Sequence, residues 1–240
     1  AGLEFKTDRI TRLLYSTDAS IYQIVPLGVV WPQHQDQVSA LVDIAREHHL
    51  PVLPRGGGTS LAGQAIGEAI VLDFSRYMDR VLDINQEDRT VLVQPGLVLG
   101  SLNRQLKPLG YAFGPDPASA DRATIGGVLG NNATGAHSII YGMAHDHLHA
   151  VEAVMADGSQ IALQEVSTQQ LEAHQRRPGL EGRIYRELPV LLERYREPIA
   201  NDYPKTFRTV AGYNLNILSQ QANFNPAVML AGSEGTLGMI

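Results

Sequence analysis

The chemistry most legible in this chain lies in Pro51-Val52-Leu53-Pro54-Arg55-Gly56-Gly57-Gly58-Thr59-Ser60-Leu61-Ala62-Gly63. A short apolar run ends at Pro54. Three glycines and two small hydroxyl residues follow. Glycines let the backbone take positive φ and turn successive N–H groups toward one point. Such a concave row of amides binds anions, phosphate above all. The stretch lacks the Gly-Lys-Ser/Thr ending of a P-loop, so no lysine is set for a γ-phosphate. The dinucleotide fingerprint G-x-G-x-x-G occurs nowhere in the chain. Two readings stay open on these residues alone: a backbone cradle for the diphosphate of some other cofactor, or a glycine-rich surface loop.

A second region poor in large side chains runs from Phe113 to Gly142. It reads Phe113-Gly114-Pro115-Asp116-Pro117-Ala118-Ser119, then Ala123-Thr124-Ile125-Gly126-Gly127-Val128-Leu129-Gly130-Asn131-Asn132-Ala133-Thr134-Gly135-Ala136-His137-Ser138. Side chains this small make a poor core. The pattern predicts a loop with one short helix from Thr124 to Asn131, its N-terminus a further anion site. Small residues also let a large flat group lie against the backbone. A flexible linker is the alternative, and the interspersed Ile, Val and Leu argue against it. The end of the chain, Ala227-Val228-Met229-Leu230-Ala231-Gly232-Ser233-Glu234-Gly235-Thr236-Leu237-Gly238-Met239-Ile240, reads as a strand entering a third glycine turn, with a β run restarting at Met239. His145, His147 and His149 alternate, so on a strand they would share one face, which is also metal-ligand geometry. No carboxylate is obviously placed to complete such a site, and no metal is expected.

The elements that position these stretches follow from periodicity. Thr7-Asp8-Arg9 caps a short helix through Leu13 and Leu14. Val25 to Trp31 reads as a buried strand. A helix runs from about Gln33 to His49, with Val38, Leu41, Val42 and Ala45 at helical spacing, and Pro51 stops it. Val52 and Leu53 form the next strand. Strand, helix and strand make a βαβ unit with parallel strands. The first glycine loop then sits at a strand's carboxyl end, where open α/β sheets bind ligands. Ala69 to Phe74 is another strand. Val81–Ile84 and Thr90–Val93 form a hairpin, and so do Val151–Met155 and Ile161–Leu163. A helix from about Val98 to Leu109 closes at Gly110. Residues 165–205 are polar and helical.

At 240 residues, the chain has room for one large domain or two small lobes. Hydrophobic residues at 44% and charged residues at 18% leave a sizeable core. The formal net charge of −6 argues against a general nucleic-acid or membrane-surface binder, though not against an anionic cofactor held by amides. With no cysteine, disulfides, iron–sulfur ligation and a thiol nucleophile are excluded within this chain. No apolar run reaches the ~18 residues of a membrane span. The first residues, Ala1 to Lys6, lack the apolar core of a signal peptide, which points to the cytoplasm. The missing initiator Met is consistent with a processed or excised piece.

Three glycine-rich segments in this order resemble one family. Arg55-Gly56-Gly57-Gly58-Thr59-Ser60, the Pro115-to-Ser138 stretch with Thr124-Ile125-Gly126-Gly127, and Ser233-Glu234-Gly235-Thr236-Leu237-Gly238 look like the FAD-binding domain of the vanillyl-alcohol oxidase/p-cresol methylhydroxylase flavoproteins. Gly130-Asn131-Asn132-Ala133-Thr134-Gly135-Ala136-His137-Ser138 is most similar to the D-lactate, glycolate and D-2-hydroxyglutarate dehydrogenase branch. The resemblance covers the chain from about Tyr22 to Ile240. It implies an α+β fold of two α/β lobes with the cofactor between them. The implied division is an N-terminal segment 1–20, a small βαβ lobe 21–75 carrying the pyrophosphate loop, and a larger lobe 76–240 that stops before a substrate cap domain.

The same resemblance implies where FAD lies. Pro54, Arg55, Gly56, Gly57, Gly58, Thr59, Ser60 and Gln64 would surround the pyrophosphate. Pro115, Asp116 and Ser119, with Thr124, Ile125, Gly126 and Gly127, would line the flavin side. Asn131, Ala133, Thr134, Gly135 and Ser138 would follow it toward the ring. Glu234, Gly235 and Leu237 would close on the adenine–ribose end or on the ring edge. Some relatives attach FAD through a histidine in the first loop. Thr59 holds that place here, so the expected FAD is non-covalent. The implied reaction is hydride transfer from a small 2-hydroxy acid to FAD; the alternative is an isolated FAD- or nucleotide-binding module, inert alone. Catalytic and metal-ligand histidines of this branch lie in the cap. Within this chain the candidates for touching substrate are His137, Arg208 and Tyr213, since an arginine pairs bidentately with a carboxylate. Neither an electron acceptor nor an oligomeric state is legible.

Overall fold

The computed structural model describes residues 2–206, 208–210 and 212–240. Ala1, and Ala211 in the segment between Arg208 and Tyr213, lie outside the described residues. The first part of the chain forms a four-stranded sheet. Its elements are β1 (Glu4–Lys6), α1 (Arg9–Leu14), β2 (Gly28–Trp31), α2 (Gln35–Glu47), β3 (Val52–Arg55) and β4 (Ile70–Asp73). The strand order is β1-β2-β4-β3. β4 is parallel to both β2 and β3, so the strands of the βαβ unit share a direction but β4 is inserted between them. β2 and β4 are buried along their whole length, as inner parallel strands covered on both faces must be. Val38, Leu41, Val42 and Ala45 of α2 are buried, and the first three pack with Val30, Ile70 and Leu72 on one face. Val29, Trp31 and Val71 fill the other, beneath Tyr15 and Leu53.

The N-terminal segment, expected over residues 1–20, joins this sheet through its described residues. β1 pairs antiparallel with β2, Phe5 opposite Val30. Asp8 caps α1 by accepting from Thr11 N at 3.0 Å. The Tyr15 hydroxyl then reaches Asp73 at the end of β4, at 2.5 Å.

Beyond the sheet, β5 (Val81–Asn85) and β6 (Thr90–Val93) make one hairpin. α3 (Leu99–Leu106) follows and buries Leu99, Leu102 and Leu106. α4 (Ile125–Gly130) lies against it in a core with Leu97, Val128, Leu129 and Ala144. After α5 (Ser138–Tyr141), β7 (Ala150–Val154) and β8 (Gln160–Gln164) form a second hairpin. Its inward residues Val151, Ala153, Ile161 and Leu163 pack on Tyr185, Ala227 and Leu230. Tyr185 belongs to α7 (Gly179–Arg194), which lies between α6 (Thr168–Gln175) and α8 (Arg196–Asp202), with α9 (Leu215–Leu218) beyond.

Two expected elements differ. The buried run from Ala227 is not a strand: Pro226–Met229 is a 3-10 turn. Asn225 caps it by accepting from Ala227 N, and the Asn214 amide donates to the carbonyls of Val228 and Ala231, so side chains rather than a ladder satisfy this backbone. A β contact does restart at Met239, which exchanges two backbone bonds with Val154, at 2.8 and 2.9 Å. The alternating histidines are not on a strand. Ala144–His147 is a 3-10 turn that sends them in different directions. His145 is buried on the Asn132 side-chain oxygen at 3.1 Å, while His147 reaches the Tyr141 carbonyl at 2.7 Å. Among the described residues no group of His, Asp and Glu has metal-binding geometry, and no helix is long and apolar enough to cross a membrane.

Candidate cofactor-binding site

β3 ends at Arg55, and Gly56 to Ser60 leave the sheet at its carboxyl end. The loop is pressed against the segment before α4. A Cβ on Gly56 would run into Thr124 Oγ1, and one on Gly57 into the Arg122 carbonyl oxygen. Only glycine fits at these two places. Gly58 then turns the chain at φ +63°. Among the described residues, none of the backbone N–H groups from Gly56 to Ser60 donates to another protein group. Five consecutive unused donors on a half-buried loop are what the anion-cradle reading requires. Beside it, Ser60 Oγ is hydrogen-bonded to Gln64 Oε1.

The three glycine-rich segments converge on one cavity of about 310 Å³. Its wall includes Pro54 to Ser60 and Gln64 from the first, and Ser119, Thr124, Gly126, Gly127, Asn131, Ala133 and Thr134 from the second. Glu234 and Gly235 come from the third. The third segment is docked by Glu234 N on the Gly130 carbonyl and Gly232 N on the Leu129 carbonyl, both at 2.9 Å, so it covers the carboxyl end of α4. Among the described residues, two buried polar atoms on this wall, Thr124 Oγ1 and Asn132 Nδ2, have no protein partner. Orphaned polar atoms and an open row of amides in one concave place fit a ligand rich in acceptors, such as a nucleotide diphosphate.

One expectation is corrected. The N-terminus of α4 is not an open anion site, because Ile125 N donates to the Leu97 carbonyl and Gly126 N to the Pro95 carbonyl, each at 2.8 Å. Six expected residues stand behind the wall rather than on it. Pro115 is buried, and Ile125 packs in the α3–α4 core. Gly135 is closed against the Asp116 carbonyl. Ser138 is buried with its Oγ on Gly135 N at 2.9 Å. Leu237 packs toward Tyr185. The Asp116 carboxylate takes both the His137 N–H at 2.9 Å and His137 Nδ1 at 2.5 Å, and that backbone bond first, then the imidazole, holds it below the usual carboxylate range.

The candidates for touching substrate are held by the protein itself. Arg208 donates to the Gly135 carbonyl at 3.0 Å, and Tyr213 bonds the Thr236 hydroxyl at 3.0 Å. Wall residues that sequence reasoning missed include Phe74, Pro95, Pro117, Asn132 and Met239. Phe74 was within reach, since it ends the strand expected from Ala69 to Phe74. Asn132 carried no signal beyond its neighbour Asn131.

A cavity between the carboxyl end of a mixed sheet and a glycine-rich helix, walled by unused amides, defines the class: an α+β flavin-binding fold of the p-cresol methylhydroxylase type. Alkyldihydroxyacetonephosphate synthase has this fold, with a TM-score of 0.65 at 22% identity, over 98% of this chain and 39% of that one. A variant of Physcomitrella patens BBE-like 1 matches 68% of this chain and 36% of its own, with a TM-score of 0.60 and 22% identity. Residues 26–164 match the FAD binding domain family. The chain belongs to that family, and its cofactor is FAD. It is 37% identical over 239 residues to the D-2-hydroxyglutarate dehydrogenase of Pantoea ananatis, covering 98% of this chain and 23% of that protein. The Escherichia coli enzyme of the same name is 36% identical, with 98% and 24% covered. Glycolate oxidase subunit GlcD of Bacillus subtilis is 36% identical over 157 residues, 64% of this chain and 33% of that one. The chain therefore spans about a quarter of the length of the D-2-hydroxyglutarate dehydrogenases it matches.

Proposed function

We propose that this chain is the FAD-binding part of a flavin-dependent dehydrogenase that oxidises a small 2-hydroxy acid, of the D-2-hydroxyglutarate type. The supporting observation is that likeness to enzymes of that name runs through the whole cradle, from the N-terminal segment to the third glycine turn. FAD bound here supplies the two-electron acceptor, and the protein supplies binding and orientation. The amides of Gly56 to Ser60 hold the diphosphate, with no covalent bond, since Thr59 offers no nucleophilic ring nitrogen. Thr124 Oγ1 and Asn132 Nδ2 give their free hydrogen-bonding capacity to the cofactor. Glu234 and Gly235 cover it from the α4 side.

The proposed division keeps a sheet lobe to residue 75 and a larger lobe from 76 onward, with residues 1–20 joined to the first. His137 is the group on this chain suited to holding a proton near the substrate. Asp116 engages its Nδ1, which leaves Nε2 as the atom that exchanges. Arg208, beside it on the Gly135 carbonyl, is the cation for a substrate carboxylate.

The test is anaerobic. The purified protein should carry flavin absorbance that D-2-hydroxyglutarate bleaches. Bleaching by D-lactate or glycolate alone would move the substrate within the class. Flavin that no 2-hydroxy acid reduces would favour the inert binding module instead.

A further inference from the structure

Arg55 lies in the cradle by sequence, yet its guanidinium is committed elsewhere. Nη1 donates to the Ala65 carbonyl at 2.9 Å and to the Tyr15 carbonyl at 3.4 Å. Nη2 donates to the Thr17 carbonyl at 2.9 Å. The group also lies over the Tyr15 ring, 5.2 Å from its centroid. Tyr15 is fixed in turn by Asp73, which is 5% exposed and also accepts from Trp31 Nε1 at 3.1 Å and Ser75 Oγ at 2.6 Å.

The glycine loop folds over this assembly. A Cβ on Gly58 would sit 2.5 Å from Arg55 Nη2, so the left-handed turn at Gly58 rests directly on the guanidinium. The Gly58 carbonyl is held by Ala19 N at 3.0 Å. The carbonyl of that residue is thus engaged by the N-terminal segment. Peptide planarity points the Thr59 N–H, which shares a peptide unit with that carbonyl, the opposite way.

We propose that Arg55 is a positioning residue for the diphosphate loop, which acts from behind through three carbonyls and makes residues 15–19 part of the cofactor site. This rests on the placement of the FAD diphosphate at Gly56 to Ser60. Arg55 lines the cavity, but three of its five N–H donors are committed to these carbonyls. A lysine keeps the charge but offers its donors from one nitrogen, without the planar two-nitrogen fork that spans these carbonyls.

The test is FAD titration of the apoprotein for wild type, Arg55→Lys, Gly58→Ala and the double variant, with each unfolding midpoint measured without FAD. Arg55→Lys should weaken FAD binding about tenfold while the apoprotein's midpoint stays close to wild type. The double variant should lose no more affinity than the weaker single variant, because both changes disturb one contact. Wild-type affinity in Arg55→Lys, or losses that multiply in the double variant, would overturn the proposal. Wild type that takes up no FAD would instead remove the placement on which it rests.

Discussion

Gly57→Ala is the most incisive change to the cradle. A Cβ there meets the Arg122 backbone oxygen, which belongs to the segment leading into α4 and has no rotamer to give way. Carbon and oxygen settle near ordinary van der Waals separation, so the loop and that segment must part by about 1 Å. That shift moves the Gly57 and Gly58 amides away from the proposed diphosphate position. A hydrogen bond to a charged acceptor contributes about 1.5 kcal/mol at the low end, and two weakened bonds make about 3 kcal/mol. FAD affinity should fall by just over 100-fold. Calorimetric titration of the apoprotein reads this directly. Gly67→Ala serves as the control, since a Cβ there makes only an ordinary contact with Leu53 at 3.7 Å. A Gly57→Ala protein that folds and binds FAD within twofold of wild type would refute the amide cradle.

Three further outcomes follow from named contacts. Tyr185 is fully buried, and its hydroxyl accepts from Gln164 N at 3.0 Å and donates to the Gln164 carbonyl at 3.2 Å. Tyr185→Phe should cost about 1–3 kcal/mol in urea unfolding and leave FAD affinity unchanged. Burial and then the hydrogen bond to Asp73 push the Tyr15 hydroxyl from 10.0 to about 12. A raised folded-state value gives stability that is whole below pH 10 and is lost as pH rises toward 12. The stability gap between wild type and Tyr15→Phe should therefore narrow over that window, and a constant gap would contradict the assignment. His137→Asn should lower substrate-driven flavin reduction by about 10²-fold or more with flavin content intact, whereas unchanged reduction would remove His137 from the proton path.

Much of the fold was legible because its signals are local. Val38, Leu41, Val42 and Ala45 mark α2 by spacing, and the hairpins carry polar turns between β-branched runs. β1 was invisible, since Glu4-Phe5-Lys6 is too short for a pattern and exists through its pairing with β2. The run at Ala227 misled for the opposite reason. Its residues are apolar enough for a strand, but Pro226 and the Asn214 and Asn225 side chains supply the backbone partners that a ladder would have supplied. The cradle's residue types could be read from composition. Which amides are already used could not, because Leu97 and Pro95 take the first donors of α4 from another loop.

That last point changes what the glycines are for. Positive φ explains Gly58, yet Gly56 and Gly57 are required by what lies against them, Thr124 and the Arg122 backbone. Gly235 combines both reasons, at φ +80° and with the Pro54 ring 2.9 Å from where its Cβ would stand. Each wall of the cavity is thus docked on another through a missing side chain, and the first wall rests on Arg55 and residues 15–19 as well. The segment that matches the FAD binding domain family, 26–164, contains neither residues 15–19 nor the third wall at Glu234 and Gly235. The cradle therefore draws on residues on both sides of that segment. Walls that touch one another cannot shift singly, so a change at any of these glycines should reach the amides proposed for the diphosphate even when it lies on a different loop.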